Sequence, residues 1–148
     1  MAAKNSTESY STEKRLVSDL SAHVTNGRGS VKLSKLAFEF GHSSGWTDVV
    51  GLGGRKVLHA FEAKLNRWKD ALDQARKNRC FAHYCYVALP ATAAKRALES
   101  RQDFEKFGVG LVVVSTDSAR LAIRPKRNAP LLPWITKVAV ATLERSRR

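Results

Sequence analysis

Three charged residues near the middle of the chain have the types and spacing that phosphoryl-transfer chemistry uses. Asp48 opens a short apolar segment, Thr47 to Leu52, and Glu62 and Lys64 lie near the end of the next one, Arg55 to Lys64. Both segments read as strands, with Gly53-Gly54 between them as a tight hairpin turn. Strand side chains alternate faces, so Glu62 and Lys64 point the same way, together with Leu58 and Ala60. Val57, His59, Phe61 and Ala63 take the other face. Folding the hairpin brings Asp48 toward Glu62. Two carboxylates offer hard oxygen ligands to Mg²⁺, which takes only one or two such groups from a protein and keeps several waters. A bound ion lowers the pKa of its water and neutralises charge on a phosphoryl oxygen. A neighbouring lysine orients the attacking water or, as the neutral amine, deprotonates it, or stabilises the pentavalent transition state. The competing reading is a cross-strand ion pair of Asp48 with Lys64, with Glu62 in solvent. The apolar neighbours and the convergence of three charges favour the site.

The elements that must hold these residues follow from periodicity and caps. Residues 1–11 are rich in Ser, Thr, Asn and Lys and read as a disordered arm. Ser11 or Thr12 caps a helix carrying Leu16, Val17, Leu20 and Val24, ended by Asn26-Gly27-Arg28-Gly29. Val31, Leu33, Leu36, Phe38 and Phe40 suggest an extended segment with a slip in phase, and Gly41 to Gly45 a loop. After the two central strands, Leu65, Trp68, Leu72 and Ala75 form one helical stripe running to about Asn78. Phe81 to Leu89 is a strand and Ala91 to Phe107 helical in two pieces. Gly108 to Val114 is so apolar that it must be buried on both faces. Ala119 to Ile123 is an edge strand, and Pro133 starts a helix running to Arg145. The order α-β-β-β-α-β-α-β-β-α predicts an α/β layered domain built on a mixed sheet. Residues 12–115 would form its core, with 116–148 a basic C-terminal extension packed on the same domain.

With these elements in place, the sequence resembles the PD-(D/E)XK, restriction-endonuclease-like nuclease superfamily. Asp48, then Phe61-Glu62-Ala63-Lys64 on the following strand, then a helix containing Gln74 carry the resemblance, which covers about residues 10–115. Glu62-Ala63-Lys64 is the only acidic-x-Lys triplet that falls at the end of a strand in this setting. The stretch Ser9 to Ser18 also looks like the first helix of archaeal-type Holliday junction resolvases, with Glu13 at the position of an early active-site acid. The resemblance implies a three-layer core and a metal-dependent phosphodiesterase. Asp48, Glu62 and the Ala63 carbonyl would be ligands of Mg²⁺, with Mn²⁺ able to substitute. Lys64 would be the catalytic lysine, Glu13 a further direct or water-mediated ligand, and Gln74 a positioning group. Thr47 stands where the family often has proline. Each assignment has a plainer counterpart. Glu13 is also a favourable acid at a helix start, with Asp19 a rival on the same helix. Gln74 reads equally as a surface glutamine, and His42 as a loop residue with a conceivable substrate contact.

Composition indicates the partner. The 148 residues carry 26 Lys and Arg against 13 Asp and Glu, a net charge of +13. Residues 1–74 account for +3 and residues 75–148 for +10. Such charge implies a polyanionic partner, most simply nucleic acid or an anionic membrane surface, and DNA is the one expected here. Arg67, Lys69, Arg76, Lys77, Arg120, Arg124, Lys126 and Arg127 are the candidate phosphate contacts, with a solvated basic face as the alternative. No apolar run is long enough for a membrane span. The polar N-terminus has no secretion signal, so a cytoplasmic location is expected. Cys80 and Cys85 are expected to be reduced thiols. A DNA endonuclease is therefore the expectation, with branched DNA cut by a homodimer as its more specific form. A catalytically inactive nucleic-acid-binding module of the same fold is the alternative.

Overall fold

A computed structural model describes residues 10–43 and 45–146. Helix α1 (Glu13–Asn26) begins where Thr12, in extended conformation, accepts a hydrogen bond from the Arg15 amide at 3.1 Å. It ends at Gly27, whose φ of 72° is the left-handed cap that glycine adopts freely. Strands β1 (Lys35–His42), β2 (Gly45–Leu52) and β3 (Leu58–Ala63) form an antiparallel meander. Helix α2 (Trp68–Lys77) returns the chain to β4 (Tyr84–Pro90), parallel to β3. Helices α3 (Ala91–Leu98) and α4 (Arg101–Phe107) lead to β5 (Gly110–Val114), parallel to β4. Strand β6 (Ala119–Ile123) closes the sheet antiparallel, and α5 (Pro133–Arg145) follows. The six strands lie in sequence order in one mixed sheet.

Side-chain alternation divides this sheet into two buried faces. Leu16, Leu20 and Val24 of α1 pack on Val49, Phe61, Ala63, Tyr86, Ala88, Val112 and Val114. On the opposite face α2, α3 and α4 cover Val87, Leu89, Leu111 and Val113. There α5 also covers Phe40, Val50, Leu52, Leu58 and Ala60. The result is an α/β domain with helices on both faces of a mixed sheet. Strand β5 is buried at every position, as its uninterrupted apolar run requires. Residues 116–146 supply an edge strand and a covering helix to this same domain. Of the expected N-terminal arm, residues 1–9 lie outside the described residues. Tyr10 belongs to the fold: it packs against the α1 core, and its hydroxyl donates to Asp19 at 2.6 Å. No helix among the described residues is long and apolar enough to cross a membrane.

Two local departures from the sequence reading matter for the site. The first is in β1, which includes Gly41 and His42 and pairs them with β2, so the expected loop shrinks to the tip after His42. The phase slip falls at Glu39, whose φ is 51°, and the ladder jumps from Phe38↔Val49 to Phe40↔Thr47. Phe40 is thereby buried while Phe38 stays exposed. The second is the β2–β3 turn. It centres on Arg55 and Lys56, with φ of 61° and 60°, and the Val57 amide donates to the Gly54 carbonyl. This is the positive-φ turn that Asn-Gly fits best, yet two long cationic residues occupy it. Gly53 stands before the turn because a Cβ there would come within 3.0 Å of the His59 imidazole. Replacing the pair by Arg55→Asn with Lys56→Gly relieves the left-handed strain and should stabilise the fold by about 1 kcal/mol. A chemical denaturation midpoint that falls would contradict the turn geometry.

Candidate active site

The register of β2 and β3 places the acids. The last ladder pair is Val49↔Phe61, so Asp48 and Glu62 occupy the next position as the strands separate. Asp48 Oδ2 accepts the Ala63 amide at 2.9 Å, taking over where a backbone carbonyl would otherwise continue the ladder. Glu62 is only 5% exposed and its carboxyl lies in hydrogen-bonding contact with that of Asp48. Lys64 follows at the edge of the sheet, half-buried, with its amide donated to the Ala88 carbonyl of β4 at 3.2 Å. Its ammonium acts favourably on the Glu62 carboxylate. The three residues singled out by type and spacing thus converge at the C-terminal end of β3.

A chain of buried polar groups stands behind Glu62. Asn78 Nδ2 donates to Glu62 Oε2 at 2.9 Å, and Thr47 Oγ1 donates to Asn78 Oδ1 at 2.8 Å. His42 Nε2 lies 2.9 Å from Thr47 Oγ1. The threonine has one hydroxyl proton and directs it to Asn78, so His42 is the donor in that contact. The imidazole lies against the rings of Phe40 and Phe81, and burial holds its pKa below the usual histidine range. Sequence reasoning missed Thr47 and Asn78 as parts of this constellation. It pointed instead to Gln74, which is exposed and makes no hydrogen bond to Asp48, Glu62 or Lys64. Asn78 is one helical turn further along, just past the end of α2, and that spacing was the available signal.

Burial is the largest cause of an upward shift of the Glu62 carboxyl to about 8. The Asn78 hydrogen bond opposes it, the Asp48 carboxyl pushes it further up, and Lys64 draws it down. Two acids are therefore held together in a buried place with one ammonium, an arrangement that a divalent cation would relieve. Their oxygens are the hard donors that Mg²⁺ and Mn²⁺ take, and one oxygen of each is already oriented by an N–H, so the residues fit such an ion. Glu13 does not complete the set. Among the described residues no three His, Cys, Asp or Glu side chains form a metal-holding group. Glu13 is the exposed first residue of α1 and shares with Asp48 the walls of a cavity of about 610 Å³, also lined by Lys14, Ser18, Phe38 and Glu39. Asp19, its rival, is occupied by Tyr10 and by Arg15 at 3.9 Å.

The candidate phosphate contacts divide by position. Arg67 and Lys69 stand at the start of α2, just beyond Lys64. Arg67 is paired with Asp70 at 2.8 Å, and Arg76 and Lys77 share Asp73. Arg120 lies at the end of β6 that pairs with Val113 and Val114, toward the same strand ends as Lys64. Arg124, Lys126 and Arg127 follow the other end of β6, beside the start of β5, and so lie toward the opposite ends of the strands. The basic stretch that the sequence presents as one region is thus split across the molecule.

No family model matches the sequence, and no curated protein is significantly similar to it. The fold is shared with a solved structure. This is the SPO1766 protein of unknown function from Silicibacter pomeroyi, 18% identical, with a TM-score of 0.67 over 91% of this chain and 85% of that one. At that identity the likeness shows the fold alone.

Proposed function

We propose that the chain is a metal-dependent endonuclease that hydrolyses DNA phosphodiester bonds. The observation that carries this reading is the meeting of Asp48 and Glu62 at the end of β3, with Lys64 alongside. Asp48, Glu62 and the carbonyl of Ala63 would hold Mg²⁺ or Mn²⁺. When bound, the ion supplies charge neutralisation at a phosphoryl oxygen and an acidified water. The chain's own residues do the rest. Asp48 is fixed by the Ala63 amide and Glu62 by Asn78, so neither carboxylate must reorganise when substrate arrives. Lys64 places a positive charge where the non-bridging phosphate oxygens gain charge, or, as the neutral amine, takes a proton from the attacking water. The cavity beside Asp48 gives the DNA backbone a way in, with Lys14 on its wall. The excess of positive charge draws DNA to the surface. The resemblance to the PD-(D/E)XK superfamily supports products with 5′-phosphate and 3′-hydroxyl ends. The likeness of α1 to the junction-resolvase helix supports branched DNA as substrate, cut by a homodimer.

The direct test is incubation with supercoiled plasmid and with a four-way DNA junction in Mg²⁺, Mn²⁺ or EDTA. Cutting in the two metals and none in EDTA is expected. Binding without cutting in either metal would favour a non-catalytic nucleic-acid-binding module instead. The split of the basic residues gives a second expectation. Each lost phosphate contact should reduce the slope of log affinity against log salt by about 1. Lys69→Ala, next to the candidate site, should show that loss on a short duplex centred on the cleavage point. Arg124→Ala, toward the opposite strand ends, should show it only on a longer one. Equal effects on both lengths would overturn the assignment.

A further inference from the structure

We propose that His42, Thr47 and Asn78 are positioning residues that set the Glu62 carboxylate for metal binding; this rests on the metal-site reading above. Three features of the chain support the assignment. Its hydrogen bonds run in one direction, from His42 Nε2 to Thr47 Oγ1, from Thr47 to Asn78 Oδ1, and from Asn78 Nδ2 to Glu62 Oε2. Each donor fixes the acceptor ahead of it, and the last acceptor is the Glu62 Oε2 atom. The amide of Asn78 is thereby locked in the orientation that presents N–H, not carbonyl, to Glu62.

The chain is also built on rigid backbone. The Asn78 carbonyl accepts from both the Phe81 and Ala82 amides, so the turn carrying this side chain is tied down independently of the site. Thr47 lies in the β1–β2 ladder, paired with Phe40. It is the residue immediately before Asp48, so one short stretch of β2 supplies both a carboxylate and the support of its partner.

The third feature is cost. Thr47 is fully buried and Asn78 is 2% exposed, against a core of Phe40, Phe81, Ala82 and Cys85. A valine at position 47 would fill the same volume without a hydroxyl to satisfy, and an apolar residue at 78 would need no partner. A buried polar chain here gains its purpose from the carboxylate at its end. Partners that orient a ligand from behind typically control metal affinity by about 10–100-fold.

The experiment measures Mn²⁺ binding to the full chain by electron paramagnetic resonance, with a thermal melt on each protein. Thr47→Val and Asn78→Ala should each raise the Mn²⁺ Kd by about tenfold or more, while Thr47→Ser, which keeps the hydroxyl, should stay within about twofold. In plasmid cleavage, saturating Mn²⁺ should return Thr47→Val to within a few-fold of the wild-type rate. A merely structural threonine would lower the melting temperature without moving the Mn²⁺ Kd of the folded protein. Thr47→Val with wild-type Mn²⁺ affinity would overturn the proposal while leaving the metal site intact, as would Thr47→Ser as weak as Thr47→Val. Wild-type protein that binds no Mn²⁺ would remove the metal site itself, and this proposal with it. Should Asn78→Ala fail to fold, the near-isosteric Val and Ser replacements at position 47 still decide the matter.

Discussion

In EDTA the protein should lose stability as the pH rises from about 6.5 to 8, and Glu62→Gln should flatten that loss. The folded Glu62 carboxyl is raised from its ordinary 4.5 to about 8. Between those values the native protein keeps a proton that the unfolded chain has released, so stability falls with rising pH. His59 works the other way, as do His42 and His83, whose pKa burial also lowers. Burial first, and then the neighbouring His83, lower the His59 imidazole from 6.5 to about 4. Between those two values the unfolded chain holds a proton that the native protein refuses, and stability rises with pH. The two effects oppose each other below about 6.5. Above it the histidine contribution is complete and Glu62 acts alone. Cys85 and Tyr86 are also pushed upward by burial, but they matter only where their unfolded counterparts ionise, above this window. Over the remaining pH range the loss is about 2 kcal/mol. Mg²⁺ should restore stability at pH 8 more than at pH 6, because binding needs both carboxylates deprotonated. Glu62→Gln keeps an acceptor for Asn78 and removes the titration, so it should be the more stable protein at pH 8. Melts that show the same slope in the variant and the wild type would place the proton elsewhere.

Periodicity and caps carry much of this architecture because they act locally. Leu16, Leu20 and Val24 sit between Thr12 and Gly27, so α1 declares its stripe, its start and its end. The apolar run of β5 and the proline opening α5 are equally local signals. Asp48, Glu62 and Lys64 could be brought together on paper because a hairpin and strand parity suffice to do it. What stayed hidden depends on contacts between distant segments. Glu39 adopts a positive φ because β1 must bury Phe40 on one side of the slip and leave Phe38 outside on the other. The Gly53-Gly54 pair suggested a turn centred two residues too early, since its first glycine serves the packing of His59. The contact between Thr47 and Asn78 spans 31 positions and forms only once α2 lies across the sheet. The four-residue connection Ser115 to Ser118 makes β6 antiparallel to β5 and so carries Arg120 and Arg124 to opposite ends of the strands, a separation that the basic composition alone does not show.

Single-turnover cleavage of DNA in Mg²⁺ should fall by at least about 10³-fold in Asp48→Asn and in Glu62→Gln, and by about 10²–10³-fold in Lys64→Met. These replacements separate charge from shape. In Asp48→Asn the amide oxygen can still accept the Ala63 N–H, and in Glu62→Gln it can still accept from Asn78, so the backbone around the site keeps its hydrogen bonds. What each loses is one negative charge of the pair that would hold the ion. Lys64→Met keeps the aliphatic stem of lysine and loses the ammonium that would face the phosphate. DNA binding in EDTA should survive in all three. It should strengthen slightly in Asp48→Asn, which removes an acid from the path of a polyanion. The contrast lies with the two residues that the structure leaves outside the pair. Glu13→Gln should lose less than about tenfold, since Glu13 lines the shared cavity but joins no three-side-chain metal group among the described residues. Gln74→Ala should stay within about twofold, because its side chain is exposed and Asn78 makes the contact with Glu62. Wild-type cutting by Asp48→Asn would end the proposed site. A Glu13→Gln defect as deep as that of Asp48→Asn would mean that α1 moves toward the acids when the ion and DNA bind, making Glu13 a ligand of the loaded state.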